Sequence, residues 1–268
     1  MNLEAISQYD LERIRHLQPD GWTDIVKEFE FYIQSVLCNP IKIELDGKIA
    51  GIGASIAFEK SAWLAHIIVD SNYRNKGIGF EIVNELIEQL KLNKSIETIM
   101  LIATEIGRPV YLKFGFKDVS NYLFMKREIP NRAIPIPSKI VEFSENYRSE
   151  IYKLDYLVSG EKREKLLDPF ISTSKLYINN NKLEGFYMPA LKEGLIYAET
   201  EVAGLELMNL KYATIDKAVL PSENKIGIEF LRQNGFVELP TKGTRMILGK
   251  DLSWKPKMMY SRIAGNFG

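Results

Sequence analysis

The run Ile67-Ile68-Val69-Asp70-Ser71-Asn72-Tyr73-Arg74-Asn75-Lys76-Gly77-Ile78-Gly79 decides how this chain is read. It opens on the apolar end of a strand, Trp63 to Val69, and crosses a stretch dense in turn residues. It then enters Phe80 to Lys91, where Ile82, Val83, Leu86, Ile87 and Leu90 share one face of an amphipathic helix. Gly77 and Gly79 let the backbone turn tightly and approach a ligand, so that successive N–H groups and the helix N-terminus face one anion. Arg74 and Lys76 add positive charge, and Asn75 and Ile78 complete the segment. Physically this is a diphosphate cradle, although a solvated tight turn would use the same residues. Other phosphate motifs fit worse. GxxxxGK[ST] is absent, and Ile82 stands where GxGxxG needs its third glycine.

Outward from that run, Leu11 to Val36 reads as two helices broken at Pro19-Asp20-Gly21. Asp46-Gly47 between the apolar runs Ile41–Leu45 and Ile49–Phe58 predicts a hairpin. Downstream, Ile96 to Ala103 is a further strand. A short helix follows over Pro109 to Phe114, with Pro near its first turn and Gly115 just past its end. A strand from Phe116 to about Met125 closes the first half. The order ααβββαβαβ is that of a layered α/β domain.

Pro130-Asn131-Arg132-Ala133-Ile134-Pro135-Ile136-Pro137 removes three backbone donors within eight residues and predicts an extended connector. The expected domains are therefore 1–129 and 138–268. A weak internal repeat relates them: Tyr111-Leu112-Lys113-Phe114-Gly115-Phe116 echoes Leu231-Arg232-Gln233-Asn234-Gly235-Phe236 at an offset of 120. Upstream, Gly47-Lys48-Ile49-Ala50-Gly51 echoes Asn181-Lys182-Leu183-Glu184-Gly185 at an offset of 134. In the second half, helices are expected over Glu145–Val158, Glu161–Leu167, Gly204–Tyr212 and Lys225–Gln233, and strands near Leu176–Ile178, Leu183–Pro189, Gly194–Glu199 and Ala218–Leu220.

Composition excludes several classes. The 268 residues are 46% hydrophobic and 26% charged, ordinary globular usage, and a chain of this length buries roughly 70–75% of its unfolded surface. The 35 basic and 35 acidic side chains cancel, so no global field draws in nucleic acid or an anionic membrane. The lone Cys38 cannot form an intramolecular disulfide, which suits a reducing interior, and it reads as structural or incidental. The first residues lack a basic segment leading into an apolar one, and apolar runs such as Ala50–Phe58 fall far short of the roughly 18–20 residues that cross a bilayer. A soluble, cytoplasmic protein is expected. Two histidines, His16 and His66, far apart in sequence, build no multi-histidine metal centre, and no metal is expected. Gly53-Ala54-Ser55-Ile56-Ala57 approaches a GxSxG elbow but lacks its second glycine, and Ser172-Thr173-Ser174-Lys175 fits an SxxK pattern that recurs by chance.

Two segments in order resemble one family, the GNAT superfamily of acetyl-CoA-dependent N-acetyltransferases. Its pyrophosphate motif, Arg/Gln-x-x-Gly-x-Gly/Ala a few residues after a strand, is similar to Arg74-Asn75-Lys76-Gly77-Ile78-Gly79. Its second motif, a turn followed by Tyr-x-x-x-Gly-Phe, is similar to Ala103-Thr104-Glu105-Ile106-Gly107-Arg108-Pro109-Val110-Tyr111-Leu112-Lys113-Phe114-Gly115-Phe116. The resemblance is strong over residues 1–127. Beyond residue 138 the chain resembles the second GNAT-like half found in a subset of the family. The fold implied is α/β, two tandem GNAT-like domains, each a mixed, mostly antiparallel sheet flanked by helices. The second is degenerate: Thr200-Glu201-Val202-Ala203-Gly204-Leu205-Glu206-Leu207 holds one glycine, no basic residue and two carboxylates that would repel a diphosphate. It is expected to shape or cover the substrate cleft without binding acetyl-CoA.

The resemblance implies transfer of an acetyl group from acetyl-CoA, as cosubstrate, to a primary amine of a small molecule within a ternary complex. Backbone groups of Ile67, Ile68 and Val69 would pair with the pantetheine and the acetyl carbonyl. Arg74 to Gly79 would take the pyrophosphate. Tyr111 matches the position of the general acid, while a core tyrosine with a satisfied hydroxyl is the bland alternative. Thr104 stands where many relatives carry a cofactor-contacting Asn. His66, whose type titrates near neutrality, is the candidate base, with Glu59 and Glu105 as alternatives and a buried, hydrogen-bonded strand histidine as the competing reading. An acyl-CoA sensor that has lost catalysis, or a nucleotide-phosphate enzyme using the same glycine turn, would share the cradle.

Overall fold

The computed structural model describes residues 2–128 and 139–268, so the proline-rich connector expected at 130–137 lies outside the described residues. In the first half the chain runs β1 (Asn2–Ala5), two 3₁₀ turns (Gln8–Asp10 and Glu12–Leu17), α1 (Ile25–Gln34), β2 (Cys38–Leu45), β3 (Lys48–Ala57), β4 (Ser61–Val69), α2 (Ile78–Leu92), β5 (Thr98–Ala103), α3 (Arg108–Lys113) and β6 (Lys117–Arg127). The second half adds β7 (Ile140–Glu142), α4 (Arg148–Ser159), α5 (Glu164–Leu167), β8 (Lys175–Asn179), β9 (Lys182–Met188), β10 (Leu195–Ala198), α6 (Glu201–Tyr212), β11 (Lys217–Pro221), α7 (Lys225–Gln233), β12 (Phe236–Gly249) and β13 (Met259–Ser261). Most expected elements form within a few residues of their sequence bounds. The first of the two helices expected within 11–36 is instead 3₁₀ structure, where Asp10 accepts from the Ser7 amide at 2.9 Å and Pro19 follows closely.

The chain forms two compact units. Unit 1 comprises Met1–Leu101, Ile106–Lys117 and Ile247–Lys250; unit 2 comprises Ile102–Glu105, Asp118–Met246 and Asp251–Gly268. The division at the proline segment differs from these units because strand partners, not chain order, decide membership. β6 lies before the connector, yet it pairs antiparallel with β11 from Lys217↔Lys126 to Pro221↔Tyr122, inside unit 2. Conversely, Lys250 belongs with unit 1, its N–H donating to Glu97 O at 3.0 Å and its carbonyl accepting from Thr98 Oγ1 at 2.7 Å.

Within unit 1 the strand order is β1-β2-β3-β4-β5, antiparallel except for a short parallel stretch of β4 with β5, Ser61↔Thr98 to Trp63↔Met100. Helix α2 lies on β3 with Ile78, Ile82, Val83, Leu86, Ile87 and Leu90 buried. Burial of each such side chain stabilises the fold by about 1.5–3 kcal/mol. The docking is close because β3 carries Gly51 and Gly53: a Cβ on Gly53 would fall 2.6 Å from Ile82 Cγ2, and one on Gly51 2.8 Å from Ile78 Cγ2. That close approach sets where the α2 N-terminus, and the turn before it, must lie. Unit 2 contains a second meander, β7-β8-β9-β10-β13, together with α6, α7 and the β6–β11 pair. No helix among the described residues is long and apolar enough to cross a membrane.

Candidate active site

The site is built where β4 leaves its register. Ala54 opposes Ala65 and Ile52 opposes Ile68, so two residues of β4, His66 and Ile67, stand opposite the single Gly53 of β3. His66 takes a positive φ of 49°, uncommon for a residue other than glycine. A bulge of this sort bends the strand and re-aims its side chains and amides. Since the parallel pairing of β4 with β5 runs only to Trp63↔Met100, the bulge lies beyond the last paired residues on that edge. Ile67, Ile68 and Val69 therefore occupy the re-aimed end of the strand.

The turn that follows is shaped by its own side chains. Asp70 Oδ1 accepts from the Asn72 amide at 2.8 Å, and the Tyr73 amide donates to Asp70 O at 2.9 Å. Asn75 and Gly77 adopt positive φ, 61° and 82°, and Gly77 is the N-cap of α2. A Cβ on Gly77 would meet nothing within 4 Å, so glycine is required there for conformation, not for space. No side chain caps α2, which leaves its first-turn amides to an outside acceptor. Arg74, Asn75, Lys76 and Gly77 are exposed, and Lys76 Nζ stands 4.9 Å from the Tyr73 ring centre. Glycine backbone, uncapped amides and two cations are the right chemistry for a diphosphate.

Tyr111 sits in α3, opened by Pro109 in its first turn, and is 8% exposed. Its ring packs edge-on to Phe116, and Phe114 of the same segment stacks on Phe80 of α2 at 4.4 Å between ring centres. That stack docks the helix of Tyr111 against the helix whose N-terminus carries the turn. Burial pushes the Tyr111 hydroxyl well above the usual phenol range, so it stays protonated and able to donate. Thr104 and Glu105 are exposed in the loop ahead of α3, and Glu59 is exposed in the turn that starts β4, at the other end of the strand from the bulge.

His66 meets three aromatic side chains that sequence reading did not single out. Its Nδ1 lies 2.7 Å from Tyr32 Oη, and its ring contacts Tyr32, Trp22 and Phe29 at centroid distances of 5.6, 5.7 and 6.0 Å. Phe29 and Tyr32 are completely buried on α1, while Trp22 is 43% exposed in the loop before it. The available signal was the helical spacing Ile25, Phe29, Tyr32, which marks a buried face without saying what it covers. The loop is held by Gln18, whose Nε2 donates to Pro19 O, Trp22 O and Thr23 O at 3.0, 3.3 and 3.1 Å and whose Oε1 accepts from the Ile25 amide at 2.9 Å. A shallow concavity of about 410 Å³ opens beside this loop, lined by Arg15, Gln18, Pro19, Asp20, Trp22 and Asp24. Trp22 is thus shared between the concavity and the His66 cluster. No group of three or more His, Cys, Asp or Glu able to hold a metal occurs among the described residues.

The acetyltransferase (GNAT) family model matches residues 4–116. A proposed acetyltransferase from Pyrococcus horikoshii superposes with a TM-score of 0.82 at 22% identity, covering 100% of this chain and 95% of that one. A GCN5-related N-acetyltransferase from Sphaerobacter thermophilus gives 0.64 at 15% identity, with 95% and 98% covered. No curated protein sequence matches the chain. These structures share the α/β fold with mostly antiparallel sheets flanked by helices. Residues 4–116 thus match the acetyltransferase (GNAT) family, and the chain as a whole shares the fold of these structures.

Proposed function

We propose that the protein is an N-acetyltransferase that moves the acetyl group of acetyl-CoA to a primary amine of a small molecule, directly, in a ternary complex formed in unit 1. The observation that carries this reading is the bulge at His66–Ile67 followed at once by the Gly77-capped, uncapped-amide start of α2. It puts strand-end amides and an anion cradle on one continuous segment. Acetyl-CoA supplies the thioester carbon that the amine attacks. Amides of Ile67, Ile68 and Val69 orient the pantetheine arm and polarise the acetyl carbonyl. Arg74, Asn75, Lys76, Gly77, Ile78 and Gly79 hold the pyrophosphate. Tyr111 gives its proton to the departing sulfur as the C–S bond breaks, and His66, oriented by Tyr32, takes the proton released as the C–N bond forms. A neighbouring exposed Trp22 suits an acceptor with an apolar or cationic body. The two units form a tandem pair, the second lacking the cradle.

The test is calorimetric titration with acetyl-CoA followed by thiol release over a panel of small amines. One equivalent bound per chain and amine-dependent thiol release support the reading. Binding without thiol release across a broad panel points to a sensor, and competition by ATP instead of coenzyme A points to a nucleotide-phosphate enzyme.

A further inference from the structure

We infer that unit 2 retains a groove corresponding to the acyl-CoA groove of unit 1, and that the chain's own strand β13 fills it. This rests on the reading above of β4, α2 and β5 as the cofactor-binding elements. The offset of 120 that aligns Gly235-Phe236 with Gly115-Phe116 also pairs Gly227 with Gly107 and Asn224 with Thr104. In chain order, β9, β10, α6, β11 and α7 of unit 2 then correspond to β3, β4, α2, β5 and α3 of unit 1. In unit 1 the strand before the helix pairs with the strand after it, β4 with β5, and the pairing ends early. In unit 2 that pairing is replaced. β10 pairs antiparallel with β13, Ile196↔Ser261 and Tyr197↔Met259, and β13 also packs against β11. An extended backbone therefore runs where the pantetheine arm would run, and it supplies the amide partners that the arm would supply.

Three contacts lock it there. Asn224, 2% exposed, donates Nδ2 to Met259 O at 2.8 Å while its Oδ1 accepts from the Gly227 amide at 2.8 Å. The Tyr260 ring lies on the first turn of α6, where a Cβ on Gly204 would fall 2.2 Å from Cζ. That turn corresponds to the first turn of α2, where the diphosphate would rest. Lys211 Nζ, at the far end of α6, bonds Ser261 Oγ at 2.5 Å and the carbonyls of Glu193 and Gly194 at 2.6 and 3.0 Å. An independent observation agrees: the α6 N-terminus is already satisfied, Thr200 Oγ1 accepting from the Ala203 amide at 3.3 Å, and Glu201 adds negative charge in the first turn. Strand and helix cap together close the groove to an anionic cofactor, leaving one acyl-CoA site per chain.

Hydrogen exchange read by mass spectrometry on the full chain, with and without saturating acetyl-CoA, tests this alongside calorimetric stoichiometry. Slow exchange over 259–261 that acetyl-CoA does not change, with one equivalent bound, is expected. Asn224→Ala and Gly204→Ala should each speed exchange there at least tenfold, the first by removing the Asn224 Nδ2 donor to the Met259 carbonyl and the second by displacing the Tyr260 ring. Lys76→Glu should abolish the calorimetric signal outright. Two equivalents bound, a residual equivalent in Lys76→Glu, loss of protection at 259–261 on adding acetyl-CoA, or unchanged exchange in both strand variants would each overturn the inference. If the wild-type chain binds no acetyl-CoA, the reading of unit 1 fails, while the two strand variants still decide whether β13 is held as described.

Discussion

Gly77 offers the sharpest test of the cradle because conformation and space separate there. Its φ of 82° places it in the left-handed region, and a Cβ would meet nothing within 4 Å. A side chain at 77 therefore fits, and the cost is the backbone strain alone, about 1–2 kcal/mol for alanine. That strain has two outlets. If the turn holds its shape, the protein loses the strain energy in stability and acetyl-CoA affinity is kept. If the turn relaxes, stability recovers, the α2 amides rotate away, and binding must restore the strained form. By linkage the affinity loss then cannot exceed the strain, which corresponds to roughly 5- to 30-fold in Kd. Urea unfolding and calorimetric titration on the same variants measure both terms, and their sum should stay near 1–2 kcal/mol. Gly77→Asn should be milder, since Asn tolerates this region, and Gly77→Val harsher. Gly79→Ala is the control for stability alone, because its Cβ would stand an ordinary 3.6 Å from Val69 Cγ2 without a positive φ, so urea unfolding should be unchanged even where the methyl hinders the ligand. Loss of affinity beyond 100-fold for Gly77→Ala, or Gly79→Ala destabilising the fold more than Gly77→Ala, would refute the strain argument.

Other outcomes follow from the same geometry. Tyr111→Phe should cut turnover by about 10²–10⁴ with acetyl-CoA affinity unchanged, measured by thiol release and calorimetry; retained turnover would make Tyr111 a core residue only. Tyr32→Phe removes the partner of His66 Nδ1 and should cost about 1 kcal/mol in urea unfolding as well as lowering kcat more than it changes the acetyl-CoA KM. Gly53→Ala pushes a methyl into Ile82 and should destabilise by about 1–3 kcal/mol. Burial alone would raise the Asp10 carboxyl, but hydrogen bonds from Lys42 and Ser7 outweigh it and hold it at about 2. With its folded pKa below the unfolded value, Asp10 contributes stability that is present above pH ~4 and lost as pH falls towards 2, about 2 kcal/mol in all. Asp10→Asn should flatten that part of the stability–pH curve.

Local chemistry made much of unit 1 legible. Asp46-Gly47 dictates a hairpin turn, and both residues take the positive φ such a turn demands. The apolar spacing from Ile78 to Leu90 is a helix face wherever it docks. Asn75 and Gly77 announce the turn because few other residues adopt its backbone. By contrast, nothing around His66 signals a bulge, since the run from Trp63 to Val69 reads as an unbroken strand and the mismatch exists only against β3. Nor does Tyr32, 34 positions away in the chain, advertise that its hydroxyl meets that ring.

The sequence by itself therefore determined most of the elements, the glycine turn that opens α2 and the place of Tyr111 on the short helix α3, because each depends on residues within a turn or two of one another. Only the tertiary structure decided the rest. It placed Trp22, Phe29 and Tyr32 around His66, moved β6 into unit 2 and set β13 against β10. Strand pairing is settled by which edges and apolar faces are left to satisfy once the chain is compact, and such partners carry no mark in the local sequence.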